Sequence, residues 1–545
     1  MNRLFRGVNV AFPGMVARRA SGVWVETECN RRLLDLTSGF GVVNLGHSCP
    51  EVNSAAKRSI DQTIHCQQSI MRHRSQIDLL DRLADLETSK RYKLDSWFLW
   101  TSGTEAVEAA CKLARQATGR PNIISMKGAY HGRTYLSMAL TTSSTIYRSN
   151  QGPLPSGIHH IPFPFVRSGA SDASGSSDAS ASEDAFEQTT HRNHKTDPSG
   201  KTIQTDNYWG SKTLTEVRAE VGHCLDSLQH TLATQTSPGE TAAVIVEPML
   251  GEAGYYPAPP GFMMGLRRIC DQHGILLILD EVQTGFGRTG SFFACDWIDG
   301  GVKPDILVIA KGLGNGFPIS AVGTRSELSD RQLPGSMGGT YGGNGVSCAA
   351  ASAVIDQMRD NRVIDLSNLR ALEFRNIIRQ RLEDAGFRRG TDEGAERGTQ
   401  SGTRRGTEAI GETGATTRCV SDQYCSFKKA TGGHCSAQTA QPAQTVPKSV
   451  AAVGPAIGAA VGPIREIRGR GLGIGIELTS PIAGNVIERM FRSDVLAIKA
   501  GNRNTTIRIT PPLIIGKEET AIGAHRLMDA IFGASGTSSA SSASV

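Results

Sequence analysis

Three ionisable residues stand at the ends of three short apolar runs. Glu247 closes Thr241-Ala-Ala-Val-Ile-Val246, Asp280 closes Ile275-Leu-Leu-Ile-Leu279, and Lys311 follows Asp305-Ile-Leu-Val-Ile-Ala310. Continuous hydrophobicity, rather than alternation, marks strands buried on both faces, hence a mostly parallel sheet covered by helices. Ligands bind such open sheets outside the carboxyl ends of the strands, so all three charges are delivered to one edge. Partial desolvation there lowers the pKa of the Lys311 amine and fits it to form a Schiff base. The alternative for a lysine at a strand end is to reach out to water. Asp280 favours the chemical reading, because a carboxylate at that edge can keep the ring nitrogen of a pyridoxal cofactor protonated and the ring an electron sink.

A phosphorylated cofactor needs an anion site. Thr101-Ser-Gly-Thr-Glu-Ala-Val-Glu108 places hydroxyls and a glycine before Ala106, Val107, Ala110, Leu113 and Ala114, which share one face of a helix. Ser102 or Thr104 would cap that helix, and its first N–H groups would hold an anion. The same spacing is also that of a plain capping box. Gly469-Arg-Gly-Leu-Gly-Ile-Gly475 and Lys311-Gly-Leu-Gly314 contain fragments of a dinucleotide fingerprint, but neither lies between a first strand and a helix with an acid about 20 residues on. Nucleotide binding is therefore not expected.

The elements that position these residues occupy only part of the chain. Of 545 residues, 39% are hydrophobic and 20% charged, and Lys+Arg exceed Asp+Glu by only 58 to 52, without the clustered excess of a nucleic-acid binder. No apolar run approaches the roughly 20 residues that cross a bilayer. The stretches from about 166 to 215 and from about 388 to 452 are dominated by Ser, Asp, Thr, Gly and Arg, with Arg-Gly-Thr recurring at 389, 397 and 405. Such segments bury too little apolar surface to offset backbone entropy, and disordered surface insertions are expected there, with a frayed tail over 534–545. The remainder suits two domains.

Eleven cysteines without a C-x-x-C pair predict reduced thiols, in the cytoplasm or alternatively the mitochondrial matrix. Zinc on Cys419, Cys425, Cys435 and His434 is disfavoured by their spacing. Four arginines among the first 25 residues resemble a transit peptide, but Gly22-Val-Trp-Val25 reads as a strand after a turn at Pro13-Gly14.

Leu279-Asp-Glu-Val-Gln-Thr-Gly-Phe-Gly-Arg-Thr-Gly290, with Lys311 placed 31 positions after Asp280, resembles the signature of the class-III (omega) aminotransferases. Further matches are Asp35-Leu-Thr-Ser-Gly39, Asn44-Leu-Gly-His47, Gly128-Ala-Tyr-His-Gly-Arg-Thr134, Glu247-Pro-Met-Leu-Gly-Glu252, Gly338-Gly-Thr-Tyr-Gly-Gly-Asn344, Ile467-Arg-Gly-Arg-Gly-Leu472 and Arg508-Ile-Thr-Pro-Pro-Leu513. The resemblance implies an α/β fold-type-I enzyme dependent on pyridoxal 5'-phosphate. It implies a large cofactor-binding domain over 61–325 and a smaller α+β domain built from 1–60 and from 326–533. Lys311 would carry the cofactor and shuttle a proton, Asp280 would meet the ring nitrogen, and Glu247 would be a second acid nearby. Val282 and Tyr130 would cover the two ring faces, Gln283 would contact the ring hydroxyl, and His131 would belong to the same shell. Ser102, Gly103 and Thr104 would hold the phosphate, completed by Thr340 of a neighbouring subunit, which implies a homodimer or higher homo-oligomer with shared active sites.

On the substrate side the resemblance implies that Arg508 binds an α-carboxylate, that Glu252 neutralises it when an ω-amine arrives, and that Arg133 takes the distal carboxylate of a 4-aminobutyrate-like donor. Phe40 stands where ornithine-type members carry tyrosine, which disfavours ornithine. The expected activity is ping-pong transfer of an amino group from an ω-amino acid to a 2-oxo acid such as 2-oxoglutarate. Alanine/glyoxylate or ornithine specificity, a pyridoxal-dependent aminomutase, racemase or decarboxylase, and a non-catalytic protein acting through its insertions remain open at this point.

Overall fold

The apolar runs form neighbouring strands in a seven-stranded sheet. A computed structural model describes residues 5, 7, 8, 10–165, 214–360, 362–387 and 462–536. The second low-complexity stretch, the residues beyond 536, Cys419, Cys425, Cys435 and His434 lie outside the described residues. So does the first stretch, apart from Leu214 and Thr215, which begin the helix Leu214–Thr234.

The sheet contains β1 (Ser96–Trp100), β2 (Asn122–Met126), β3 (Ile158–Ile161), β4 (Thr241–Val246), β5 (Leu276–Asp280), β6 (Ile306–Ile309) and β7 (Ser320–Thr324), in the order β1-β7-β6-β5-β4-β2-β3. Strands β6, β5, β4, β2 and β3 run parallel, while β7 is antiparallel to both its neighbours. Every residue of β4, β5, β6 and β7 is buried, which is why these runs do not alternate. Leu279 is in register with Val246 on one side and Leu307 on the other, so Glu247, Asp280 and Lys311 follow from the same edge.

Helix Gly103–Thr118 packs across β4, β6 and β7. Its expected apolar face is buried and is joined by Ala109, Cys111 and Ala117; small side chains let the helix lie close to the sheet. Gly119, at φ 71°, ends it in the left-handed region that glycine enters freely. Helix Phe262–His273 starts just after Gly261, whose φ of 84° is not helical.

The N-terminal strand also begins later than its pattern suggests. Gly22, at φ 58°, turns the hairpin between Ala17–Ser21 and Trp24–Thr27, so Gly22 and Val23 belong to the turn. Arg32–Asp35 pairs antiparallel with Trp24–Thr27 and parallel with Val495–Leu496, which joins an early and a late stretch of the chain in one sheet. A further four-stranded sheet has the order Ile464–Arg470, Gly473–Leu478, Thr506–Ile509, Ile498–Ala500 and carries Arg508 on its third strand. Among the described residues no helix is long and apolar enough to cross a membrane, and no group of His, Cys, Asp and Glu is placed to hold a metal ion.

Candidate active site

A cavity of about 420 Å³ opens at the edge where the three charges emerge. Its wall includes Ser102, Gly103, Thr104, Tyr130, His131, Arg133, Glu247, Asp280, Val282, Gln283 and Lys311. Lys311 follows β6 in a short 3-10 turn, Lys311–Leu313. Its φ of 41° is unusual for a residue with a side chain. Burial holds the Lys311 ammonium below its ordinary pKa, against the opposing charge of Glu252.

Asp280 is 3% exposed and held on both oxygens: Oδ1 accepts from the Val282 amide at 3.0 Å, and Oδ2 lies 2.8 Å from His131 Nδ1. His131 is itself anchored by its amide, which donates to Thr141 Oγ1 at 2.9 Å, while its buried Nε2 has no partner among the described residues. Glu247 accepts from the amides of Tyr130 (2.8 Å) and Gly251 (3.0 Å), and burial pushes its carboxyl up to about 7. Gln283 donates from Nε2 to Tyr255 Oη at 3.1 Å. A Cβ on Gly251 would stand 1.9 Å from Gln283 Oε1, so any larger residue there would have to displace the Gln283 amide.

The capping box is real. Ser102 donates to Glu105 Oε2 from its amide (2.8 Å) and hydroxyl (2.7 Å), and the Glu105 amide donates to Ser102 Oγ at 3.4 Å. The cap thus consumes the Glu105 amide, whereas the amides of Gly103 and Thr104, in the first turn, have no intrahelical acceptor. Thr104 Oγ1 hydrogen-bonds with the hydroxyls of Thr134 (2.7 Å) and Ser137 (2.6 Å).

Glu252 and Arg508 form an ion pair, with Arg508 Nη1 2.7 Å from Glu252 Oε1. Arg508 is 1% exposed. Burial works against its charge, but Glu252 and Tyr255 outweigh this and hold its pKa above the ordinary value. The Phe40 ring lies 5.3 Å from the Arg508 guanidinium, and Phe40 sits at φ 67° in a turn with Gly39 at φ 61°. Arg133 donates from Nε to Tyr130 Oη at 2.9 Å and pairs with no carboxylate among the described residues. Thr340 is exposed and does not line this cavity. Tyr147 and Tyr255, packed against these arginines, were not among the residues singled out by sequence; nothing in their spacing marks them.

The residues fit pyridoxal 5'-phosphate. An amine, a buried carboxylate, an amide side chain and free first-turn N–H groups answer its aldehyde, ring nitrogen, ring hydroxyl and phosphate. A Cβ on Gly103 would stand 3.0 Å from Val282 Cγ1, so the glycine lets the helix start close beside the side chain expected on one ring face.

A family model described as aminotransferase class-III matches residues 6–198 and 189–391. The chain belongs to the class-III aminotransferases. It is 33% identical over 362 residues to a 5-aminovalerate aminotransferase of Pseudomonas putida, covering 66% of this chain and 72% of that one. It is also 33% identical over 379 residues to a 4-aminobutyrate aminotransferase of Escherichia coli, covering 70% of this chain and 74% of that one. The fold matches an ornithine aminotransferase from Toxoplasma gondii with a TM-score of 0.67 at 21% identity, over 98% of this chain and 94% of the other. It matches an amine transaminase from an uncultivated Pseudomonas species, in its pyridoxal-phosphate-bound form, with a TM-score of 0.68 at 23% identity, over 98% and 99% of the two chains. The class-III aminotransferase is a fold-type-I α/β enzyme, and its cofactor is pyridoxal 5'-phosphate.

Proposed function

We propose that this aminotransferase moves the amino group of an ω-amino acid, 4-aminobutyrate or its one-carbon-longer homologue, to a 2-oxo acid such as 2-oxoglutarate in two half-reactions. The observation that carries this reading is the unequal state of two arginines: Arg508 is neutralised by Glu252, while Arg133 is paired with no carboxylate among the described residues. A donor with no α-carboxylate leaves the first pair closed and places its distal carboxylate on Arg133. A 2-oxo acid brings an α-carboxylate that competes with Glu252 for Arg508, and its far carboxylate uses Arg133 again.

When bound, the cofactor supplies a carbonyl carbon that takes up the amine and a ring that accepts the electron pair released on deprotonation. Lys311 would hold the cofactor covalently; its depressed pKa keeps a larger share of the amine uncharged and able to take a proton from the amine-bearing carbon. Asp280, fixed by Val282 and His131, would face the ring nitrogen. Tyr130 and Val282 would cover the ring and Gln283 would meet its hydroxyl. Ser102, Gly103 and Thr104 would bind the phosphate, helped by Thr340 of a second copy, and Glu247 would add a protonatable acid beside the cofactor. The eight unpaired cysteines of the described residues suit a reducing compartment, and we place the enzyme in the cytoplasm, with the mitochondrial matrix as the alternative.

The visible absorption spectrum of the purified protein tests this. Its cofactor band should fade with 4-aminobutyrate or 5-aminovalerate alone and return with 2-oxoglutarate, and Lys311→Ala should abolish turnover. A band unmoved by either donor rejects the ω-amino acid reading and keeps the family. Full activity in Lys311→Ala refutes the mechanism.

A further inference from the structure

Tyr147 closes the 3-10 turn Thr145–Tyr147, which Ser144 caps by accepting from the Ile146 amide at 3.5 Å. Its half-buried ring packs edge-on against Tyr130, with centroids 5.2 Å apart and planes at 74°. The Arg133 guanidinium carbon lies 4.7 Å from the Tyr147 centroid and 5.9 Å from that of Tyr130, while Arg133 Nε donates to Tyr130 Oη. One N–H is therefore tethered to one tyrosine and the cation rests by the ring of the other.

The two arginines of the site thus have matching aromatic settings and different partners. Arg508 lies by Phe40 (5.3 Å) and Tyr255 (6.0 Å), with both Nη groups donated to Glu252. Arg133 has the rings and, among the described residues, no carboxylate. A long, exposed side chain loses rotamer freedom when it clamps a ligand, and a surface that holds it beforehand reduces that loss. Burial, with Glu252 adding, pushes the Tyr147 hydroxyl pKa above its ordinary value, so the ring meets Arg133 as a neutral phenol.

We infer that Tyr147 is a positioning residue that pre-orients Arg133 and thereby sets the preference for donors carrying a distal carboxylate. This rests on the assignment of Arg133 given above. No bond to substrate is required of Tyr147 itself; the face of the ring is what acts, so phenylalanine should replace it and leucine should not.

The experiment uses the holoenzyme and compares wild type, Tyr147→Phe, Tyr147→Leu and Arg133→Ala. Each is assayed with 4-aminobutyrate, with 5-aminovalerate and with 1-aminobutane, which lacks the carboxylate. Binding of valerate, which has the carboxylate and no amine, is followed through the cofactor spectrum. Tyr147→Leu should raise the KM for both amino acids and the Kd for valerate by about fivefold, the scale of a partly desolvated cation–π contact. Its preference for the amino acids over 1-aminobutane should fall by a similar factor, with kcat much less affected, and Tyr147→Phe should restore most of it. Equal losses on carboxylate and carboxylate-free donors in Tyr147→Leu would overturn the inference in favour of a merely structural role. Loss in Tyr147→Phe equal to that in Tyr147→Leu would overturn it in favour of the hydroxyl. If Arg133→Ala leaves the amino-acid KM and the valerate Kd at wild-type values, the assignment of Arg133 fails and takes this inference with it. An effect in Arg133→Ala with none in Tyr147→Leu keeps that assignment and rejects the role of Tyr147 alone.

Discussion

Arg508 donates to Glu252 through both Nη groups, at 2.7 and 3.3 Å, across 256 positions of sequence. The pair spans two parts of the fold: Arg508 is on a strand of the C-terminal sheet, and Glu252 is in the loop after β4. A buried guanidinium stripped of its carboxylate is costly, so any ligand that displaces Glu252 must bring a carboxylate of its own. Glu252→Gln removes the competitor while leaving a hydrogen-bonding side chain. Its kcat/KM for 4-aminobutyrate relative to glutamate, an α-amino donor, should fall by about tenfold, the size of a typical charged hydrogen bond. Stability should fall as well, because Arg508 keeps its charge. An unchanged donor ratio would remove the gating role from Glu252.

Glu281 makes folding depend on pH. It is 0% exposed, accepts from the amides of Ala294 (2.7 Å) and Cys295 (2.8 Å) and from Thr284 Oγ1 (3.1 Å), and is raised by burial from 4.5 to about 7. The folded state therefore binds the proton more tightly than the unfolded state. Its contribution is fully present below pH 4.5 and is lost as pH rises through about 7. The scale over that window is roughly 3 kcal/mol. Glu281→Gln cannot titrate and cannot accept at its amide nitrogen, so it should be less stable than wild type at pH 5.5. The gap in Tm should narrow by pH 8, because Glu247, also raised to about 7, titrates in both proteins and only the wild type loses the Glu281 contribution in addition. A gap independent of pH would show that Glu281 does not titrate in this range.

The reach of the sequence follows from what strand patterns record. Glu247, Asp280 and Lys311 were legible because each ends an unbroken apolar run, and parallel strands buried on both faces leave their ends at one edge. The helix start at Ser102 was legible from its cap, although the cap alone did not separate an anion site from an ordinary helix terminus. Arg133, Glu252 and Arg508 came from resemblance to a family, since their local sequence carries no period. Tyr147, Tyr255, Glu281 and Arg288 acquire their roles only when loops meet. Tyr147 lies 14 residues past Arg133, with a helix between them, so the two share no element whose period could relate them. The late start of the strand at Trp24 has the same origin, because one glycine at positive φ decides where a hairpin turns.

Gly132 tests the cavity wall. Its φ is 138°, and a Cβ there would stand 2.3 Å from Thr104 Oγ1 and 2.6 Å from Ser137 Oγ. Gly132→Ala must therefore strain its own backbone and push Thr104 out of the hydroxyl cluster beside the helix start. Cofactor affinity should drop by at least about tenfold, the cost of one displaced charge-assisted hydrogen bond, read as a lower cofactor content after dialysis. Retention equal to wild type would mean that Thr104 does not hold the phosphate.

Arg288 ties the site's surroundings together without a salt bridge to a carboxylate among the described residues. It is 0% exposed, and burial lowers its pKa to about 10, so it remains charged at neutral pH. Its Nη1 donates to the carbonyls of Pro511 (2.7 Å) and Leu472 (3.2 Å), and its Nη2 to Asn44 Oδ1 (2.7 Å) and Ser38 Oγ (3.2 Å). Four neutral acceptors from three separate stretches thus converge on one cation. Ser38 lies two residues before Phe40, and Pro511 three after Arg508. Lysine cannot span four acceptors arranged for a planar fork. Arg288→Lys should lower stability by about 2–4 kcal/mol, the cost of leaving two or three buried acceptors unmet. It should also raise the KM for the 2-oxo acid more than that for the ω-amino donor, since only the former depends on Arg508. Denaturant unfolding and the two KM values check the two halves separately. A stability loss with both KM values raised equally would confine Arg288 to holding the fold.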